Sequence, residues 1–195
     1  MSEESLPFES GPAFEQWLAE QHTQSDGIWV KFAKKASGIP TVVYAEAVES
    51  ALKYGWIDGQ AKSLDDDHYL QRFTPRRARS KWSKINCAKA EALIASGAMQ
   101  PGGLAEVERA KADGRWDAAY DAPSTATVPE DLRAALDRDR AASDFFETLN
   151  STNRYAILHR IHDAKKPETR ERRIEKFVAM LSRGETIHPQ RGGAR

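Results

Sequence analysis

Residues 54–83 read YGWIDGQAKSLDDDHYLQRFTPRRARSKWS, and this stretch decides the fold. Two short runs, Trp56 to Lys62 and His68 to Thr74, flank Asp65-Asp66-Asp67. Strand-forming residues on either side of a polar turn predict a β-hairpin. Pro75 ends the second run, because proline has no N–H to give a strand ladder. Gly55 closes whatever element precedes the first, as glycines do past a helix end. Beyond Ser83 the spacing of apolar residues is helical to the end of the chain. The sheet therefore belongs to the first part of the sequence and ends at a basic turn.

Working upstream, Gly27 to Lys35 alternates, with Ile28, Val30 and Phe32 on one side and Trp29, Lys31 and Ala33 on the other. This is the pattern of a half-buried strand. Thr41 is placed to cap a helix whose buried face is Tyr44, Val48, Ala51 and Leu52. Ser10-Gly11-Pro12 opens an earlier helix carrying Phe14, Trp17, Leu18 and Gln21. Downstream, Ser83 to Ser96 predicts a helix with Ile85, Ala88, Ala92 and Leu93 inward and Gly97 as its stop. A helix from Pro101, using Leu104 and Val107, ends at Gly114. Trp116 and Tyr120 lie in an irregular stretch reaching Pro129, with Pro123-Ser124-Thr125 as the linker signal. Helices are then expected over 129–139, 141–149, 151–164 and 167–183, the last burying Ile174, Phe177, Val178 and Leu181. The expected class is α+β: a small, mostly antiparallel three-stranded sheet covered by helices, followed by an all-helical C-terminal part. The expected division is an α+β core domain over 8–120, a helical subdomain over 129–184 and a flexible tail over 185–195.

The chain has 195 residues, 29 Lys and Arg against 29 Asp and Glu, 40% hydrophobic and 30% charged residues. That composition suits a globular protein and argues against one that coats nucleic acid by bulk charge. The one cysteine, Cys87, excludes an intramolecular disulfide and argues against a cysteine-built zinc site. The start, MSEESLPFES, lacks the basic and apolar regions of a secretory signal, and no run approaches the length of a spanning helix. A cytoplasmic location without membrane insertion is the expectation.

The zero net charge is a sum of segregated patches. Residues 1–30 hold Glu3, Glu4, Glu9, Glu15, Glu20 and Asp26 and no Lys or Arg. From His68 to Ala90 there is no acid, while Arg72, Arg76, Arg77, Arg79, Lys81, Lys84 and Lys89 are all present. This basic stretch leaves a strand and enters a helix, whose first-turn amides have no intrahelical partners and whose dipole is positive there. Guanidinium forks suit phosphate or carboxylate, Ser80 and Ser83 add hydroxyls, and Trp82 is placed to stack on a ring or base. A ligand or anion site is therefore expected from Arg72, Arg76, Arg77, Arg79, Lys81, Trp82 and Ser83, with Trp56 and Asp58 beside it. The competing reading is internal: the arginines clamp Asp58, Asp65, Asp66 or the acidic helices, and Trp82 is core.

Asp58 lies between Gly55 and Gly59 in GWIDG, and on a regular strand Trp56, Asp58 and Gln60 would share a face. A buried Asp–Arg pair and a pocket carboxylate are both open for Asp58. As a general base it would need a raised pKa, and a neighbouring guanidinium pushes the other way. Asp65-Asp66-Asp67-His68 lacks the glycine and distal glutamate of a calcium loop. His159 and His162 lie three apart on one expected helix without an acidic partner at metal-site spacing. Cys87 has Lys84 and Lys89 nearby but no evident base, and reads as a packed thiol. Glu168, Arg172, Glu171 and Glu175 place mixed charge along the last helix, as on a solvated face. No Walker A loop, dinucleotide fingerprint, nucleophile elbow or HExxH occurs, so no catalytic constellation, metal or cofactor is assigned.

The strand GIWVKFAKK, the run YAEAVESALKYGWIDGQ, the loop RFTPRRARSKWSKIN and the C-terminal FFETLNSTNRYAILHRIHDAKKPETRERRIEKFVAML together resemble the YdeI/OmpD-associated family, over most of residues 8–183. The resemblance implies a bacterial stress or bacteriocin-protection protein, non-enzymatic and acting by binding. Two alternatives stand beside it. One is a nucleic-acid, nucleotide or anion binder using the Arg-rich loop 72–84, with a phosphate-bearing or other anionic ligand. The other is an enzyme on an anionic small molecule, with loop arginines for binding and Asp58 as a polar catalytic group. A protein partner fits the first reading.

Overall fold

A computed structural model describes residues 5–190; the end of the expected tail, 191–195, lies outside the described residues. The chain divides into two compact units, one ending at Ala119 and the other beginning at Tyr120.

The first unit is built on a four-stranded mixed sheet, which corrects the expected three-stranded, mostly antiparallel one. Its strands are β1 (Ser5–Pro7), β2 (Ile28–Ala33), β3 (Trp56–Ser63) and β4 (His68–Pro75), in the order β1-β2-β4-β3. The unexpected strand is β1, parallel to β2, with Ser5 opposite Trp29 and Leu6 opposite Val30. Parallel neighbours need a crossover, and helix α1 (Gly11–Gln21) supplies it. Three residues are too few to carry an alternation, so β1 exists only because β2 offers it an open edge and Leu6 packs against the core.

The hairpin β3–β4 forms where expected. Asp65 Oδ1 accepts from the Asp67 N–H at 2.9 Å and the His68 N–H at 2.7 Å, closing the turn. One irregularity changes a face. Asp58 is opposite Phe73, but a bulge puts Ala61, not Gln60, opposite Gln71. An extra residue reverses the alternation beyond it, so Trp56, Asp58 and Gln60 do not form one regular row.

Helix α2 (Tyr44–Lys53) starts after Val43, not from a Thr41 cap, and Tyr44 is exposed where a buried position was expected. Helix α3 (Lys84–Ala95) is capped by Ser83, whose Oγ accepts the Asn86 N–H at 3.2 Å. Its inward row is Cys87, Ala90 and Leu93; Ala88 and Ala92 are exposed and Ile85 is 48% exposed. Small alanines left the helix phase ambiguous, and packing chose the row one residue away. Helix α4 (Pro101–Ala112) completes the unit. The core gathers Phe14, Leu18, Val30, Phe32, Trp56, Phe73 and Trp82. Phe14 meets Phe73 at 5.2 Å between ring centres, and Trp17 meets Trp56 edge-on at 5.8 Å.

The described part of the second unit contains α5 (Glu130–Leu136), α6 (Arg140–Glu147), α7 (Ser151–His162) and α8 (Pro167–Ser182). Leu132, Leu136, Phe146, Ile157, Ile161, Ile174, Phe177 and Leu181 form its own core. Among the described residues no helix is long and apolar enough to cross a membrane.

Candidate functional site

The turn from Pro75 to Ser83 joins β4 to α3, and its shape is set by Arg76. That side chain is buried, 5% exposed, with its guanidinium carbon 3.6 Å from the centre of the Trp82 ring. Arg76 Nη1 donates to the Lys81 carbonyl at 3.1 Å, and its backbone N–H donates to the Gly55 carbonyl at 3.0 Å. Trp82, 2% exposed, lies in the core against Trp116 at 4.9 Å between ring centres. An arginine on an aromatic face away from water is a favourable way to hold a buried cation.

The rest of the turn is tied down by backbone and hydroxyl bonds. The Arg77 N–H donates to Ser80 Oγ at 2.9 Å, and the Ser80 N–H donates to the Arg77 carbonyl at 2.9 Å. Arg115, just past α4, donates from Nη1 to the Ser80 carbonyl at 2.8 Å while its Nε contacts Asp113 at 2.8 Å. Sequence reasoning passed over Arg115, and no spacing rule could have found it: it lies 35 residues away from Ser80. Glu106 on α4 feels the same cations. Burial pushes its carboxyl up, and Arg109, Arg76 and Arg115 pull it back. Arg109 also bonds Glu106 directly.

The expected site residues thus separate into three groups. Arg77, Arg79 and Lys81 are exposed on the turn. Neither Arg77 nor Arg79 makes an ion pair with a described residue. Arg76, Trp82 and Ser83 hold the turn from inside. Arg72, Trp56 and Asp58 lie on the sheet. Arg72 is opposite Trp29, with its guanidinium 5.8 Å from that ring, where Lys62 also sits at 4.0 Å. Trp56 is buried and donates from Nε1 to the His22 carbonyl at 3.3 Å. Asp58 Oδ2 accepts from the Tyr44 hydroxyl at 2.6 Å. Because Asp58 faces Phe73, strand alternation turns Arg72 to the other side of the sheet.

Cys87 is a packed thiol: burial and then Glu91 push its pKa up to about 11, against the pull of Arg76 and Lys111. It stays protonated at neutral pH and is a poor nucleophile there. Among the described residues no three His, Cys, Asp or Glu side chains gather as a metal site.

An α+β unit with an internally braced cationic turn, followed by an all-helical unit, is the class these observations define. Residues 6–106 match the family model described as Domain of unknown function (DUF8412), and the chain belongs to that family. Residues 125–184 match the model described as Bacteriocin-protection, YdeI or OmpD-Associated, which bears out the resemblance for the helical unit. The quoted motifs of the first unit fall within the 6–106 match. No curated protein and no solved structure matches the chain.

Proposed function

We propose that this chain is a non-enzymatic binding protein of the YdeI/OmpD-associated type. It acts in the bacterial cytoplasm in stress or bacteriocin protection, and it holds a phosphate-bearing partner on Arg77, Arg79 and Lys81. One observation carries the reading. The 75–83 turn is braced from within by Arg76, Trp82, Ser80 and Arg115, which leaves Arg77 and Arg79 outside on a fixed frame. A cation cluster on an ordered turn gives up less freedom on binding than one on a loose loop. The run from His68 to Ala90 carries seven Lys and Arg and no acid, although the chain is neutral overall.

Titration of the protein with a fluorescent single-stranded oligonucleotide at several salt concentrations tests this. Three phosphate contacts give a slope of log K against log salt of about −2, falling to about −0.7 in the Arg77→Ala plus Arg79→Ala variant. Both side chains are exposed, so the variant keeps its melting temperature. No binding at low salt, or an unchanged slope in the variant, overturns the phosphate-binding reading. A deletion strain that withstands bacteriocin as well as its parent overturns the protective role.

A further inference from the structure

Helix α7 carries two adjacent rows at helical spacing: Ser151, Tyr155 and His159, and beside them Thr152, the buried Ala156 and Arg160. These rows floor a cavity of about 390 Å³ in the helical unit, closed at its sides by Pro123 and His188. Its wall is largely apolar, and no Asp or Glu among the described residues lines it.

Both sides are fixed to α7. Tyr155 donates from its hydroxyl to the Asp121 carbonyl at 3.0 Å, which holds the strand of chain leading to Pro123. The ring of Tyr120 meets His159 edge-on at 5.1 Å. On the other side Asn153, fully buried, donates from Nδ2 to the His188 carbonyl at 3.0 Å and accepts the His188 N–H at 2.8 Å. A reciprocal pair of bonds from a buried amide pins the His188 backbone beside the helix. Arg160 commits Nη1 to the Ala156 carbonyl at 3.0 Å, which lays the guanidinium along the cavity rim.

We propose that this cavity is a binding site for a flat aromatic acid. The ring rests against Tyr155, Ala156 and Pro123, and the carboxylate meets Arg160 and His188 at the rim. Aromatic walls prefer a planar ring, and a guanidinium prefers a carboxylate. The volume is in the range of small-molecule sites, and the few polar groups at the edge fix orientation. The site is separate from the cationic turn and does not depend on it.

Calorimetry and NMR on the full chain with indole-3-carboxylate test the proposal. The acid is expected to bind and to move the His159 and His188 ring signals. Neutral indole, and the acid on Arg160→Ala, are each expected to bind at least about tenfold more weakly. Thr152→Trp, at an exposed position on the floor, is expected to block the cavity while leaving the melting temperature unchanged. No binding up to about 10 mM overturns the proposal. So does equal binding of indole, an Arg160→Ala variant that binds as tightly as the parent, or histidine signals that stay still. Inorganic phosphate that binds as tightly as the aromatic acid overturns it too, because the aromatic wall then plays no part.

Discussion

Arg76 and Arg77 are adjacent, identical in chemistry and opposite in role. Arg76 is buried on Trp82, while Arg77 is exposed, with its backbone N–H and carbonyl engaged by Ser80. The difference is made in the turn beyond β4, which breaks the strand alternation, folds Arg76 back onto Trp82 and leaves Arg77 outside. A buried guanidinium is tolerated here because its planar face matches an indole and its Nη1 reaches the Lys81 carbonyl. A lysine ammonium offers no planar face to stack. Arg76→Lys should therefore lower stability by about 1–2 kcal/mol in urea unfolding, while Arg77→Lys leaves the midpoint unchanged. Equal midpoints for the two variants would show that the stack on Trp82 contributes nothing. Composition reveals neither role: the seven cations of the 68–90 run look alike on paper.

Two contacts between elements set expectations at the next scale. Helix α4 begins against the end of α2, where the Gln100 N–H donates to the Lys53 carbonyl at 3.1 Å. A Cβ at Gly103 would collide with the Lys53 carbonyl and the Met99 sulfur and lie 2.7 Å from the Leu52 carbonyl. Alanine ordinarily gains up to about 1 kcal/mol over glycine inside a helix, but forcing atoms into a filled space costs about 1–3 kcal/mol. The clash is with backbone, which yields least, so Gly103→Ala should lower the thermal midpoint; an unchanged or raised midpoint would show that α4 can slide. In the helical unit, Arg170 on α8 grips Asp131 on α5 through Nε at 2.5 Å and Nη2 at 2.8 Å. Those bonds hold the Asp131 carboxyl below the ordinary carboxylate range, against a smaller push from burial. A lowered folded value means the stabilisation is full above the ordinary value of about 3.9 and disappears as pH falls through the lowered one. The pair is part-exposed and screened, so Asp131→Asn should cost about 0.5–1 kcal/mol at pH 7, with the gap to the parent closing in acid. A gap that persists at pH 2 would mean the aspartate acts through packing instead of charge.

Over the whole molecule, the balance of 29 cations against 29 acids conceals where the charge lies. The basic run is answered in part by Glu106 and in part left exposed, so the internal and ligand-facing readings each describe some of its arginines. The hairpin was legible because its turn residues are adjacent in sequence, and Asp65 closes the turn with its own neighbours' amides. The helix starts at Ser10 and Ser83 were legible for the same reason, since each serine side chain bonds an amide three residues on. The helices of the second unit were legible because proline and polar caps punctuate regular apolar spacing. By itself, then, the sequence determined the local elements, the α+β class, the likeness of residues 125–184 to the YdeI/OmpD-associated family and the existence of a basic strand-to-helix turn. Only the tertiary structure decided that a three-residue strand completes a mixed sheet and that α3 turns Cys87 inward in place of Ala88. It alone set Asp58 against Tyr44 and brought Arg115 under Ser80. Those outcomes depend on which distant surface is available to pack or bond, and an interaction across tens of residues leaves no period for a sequence to display.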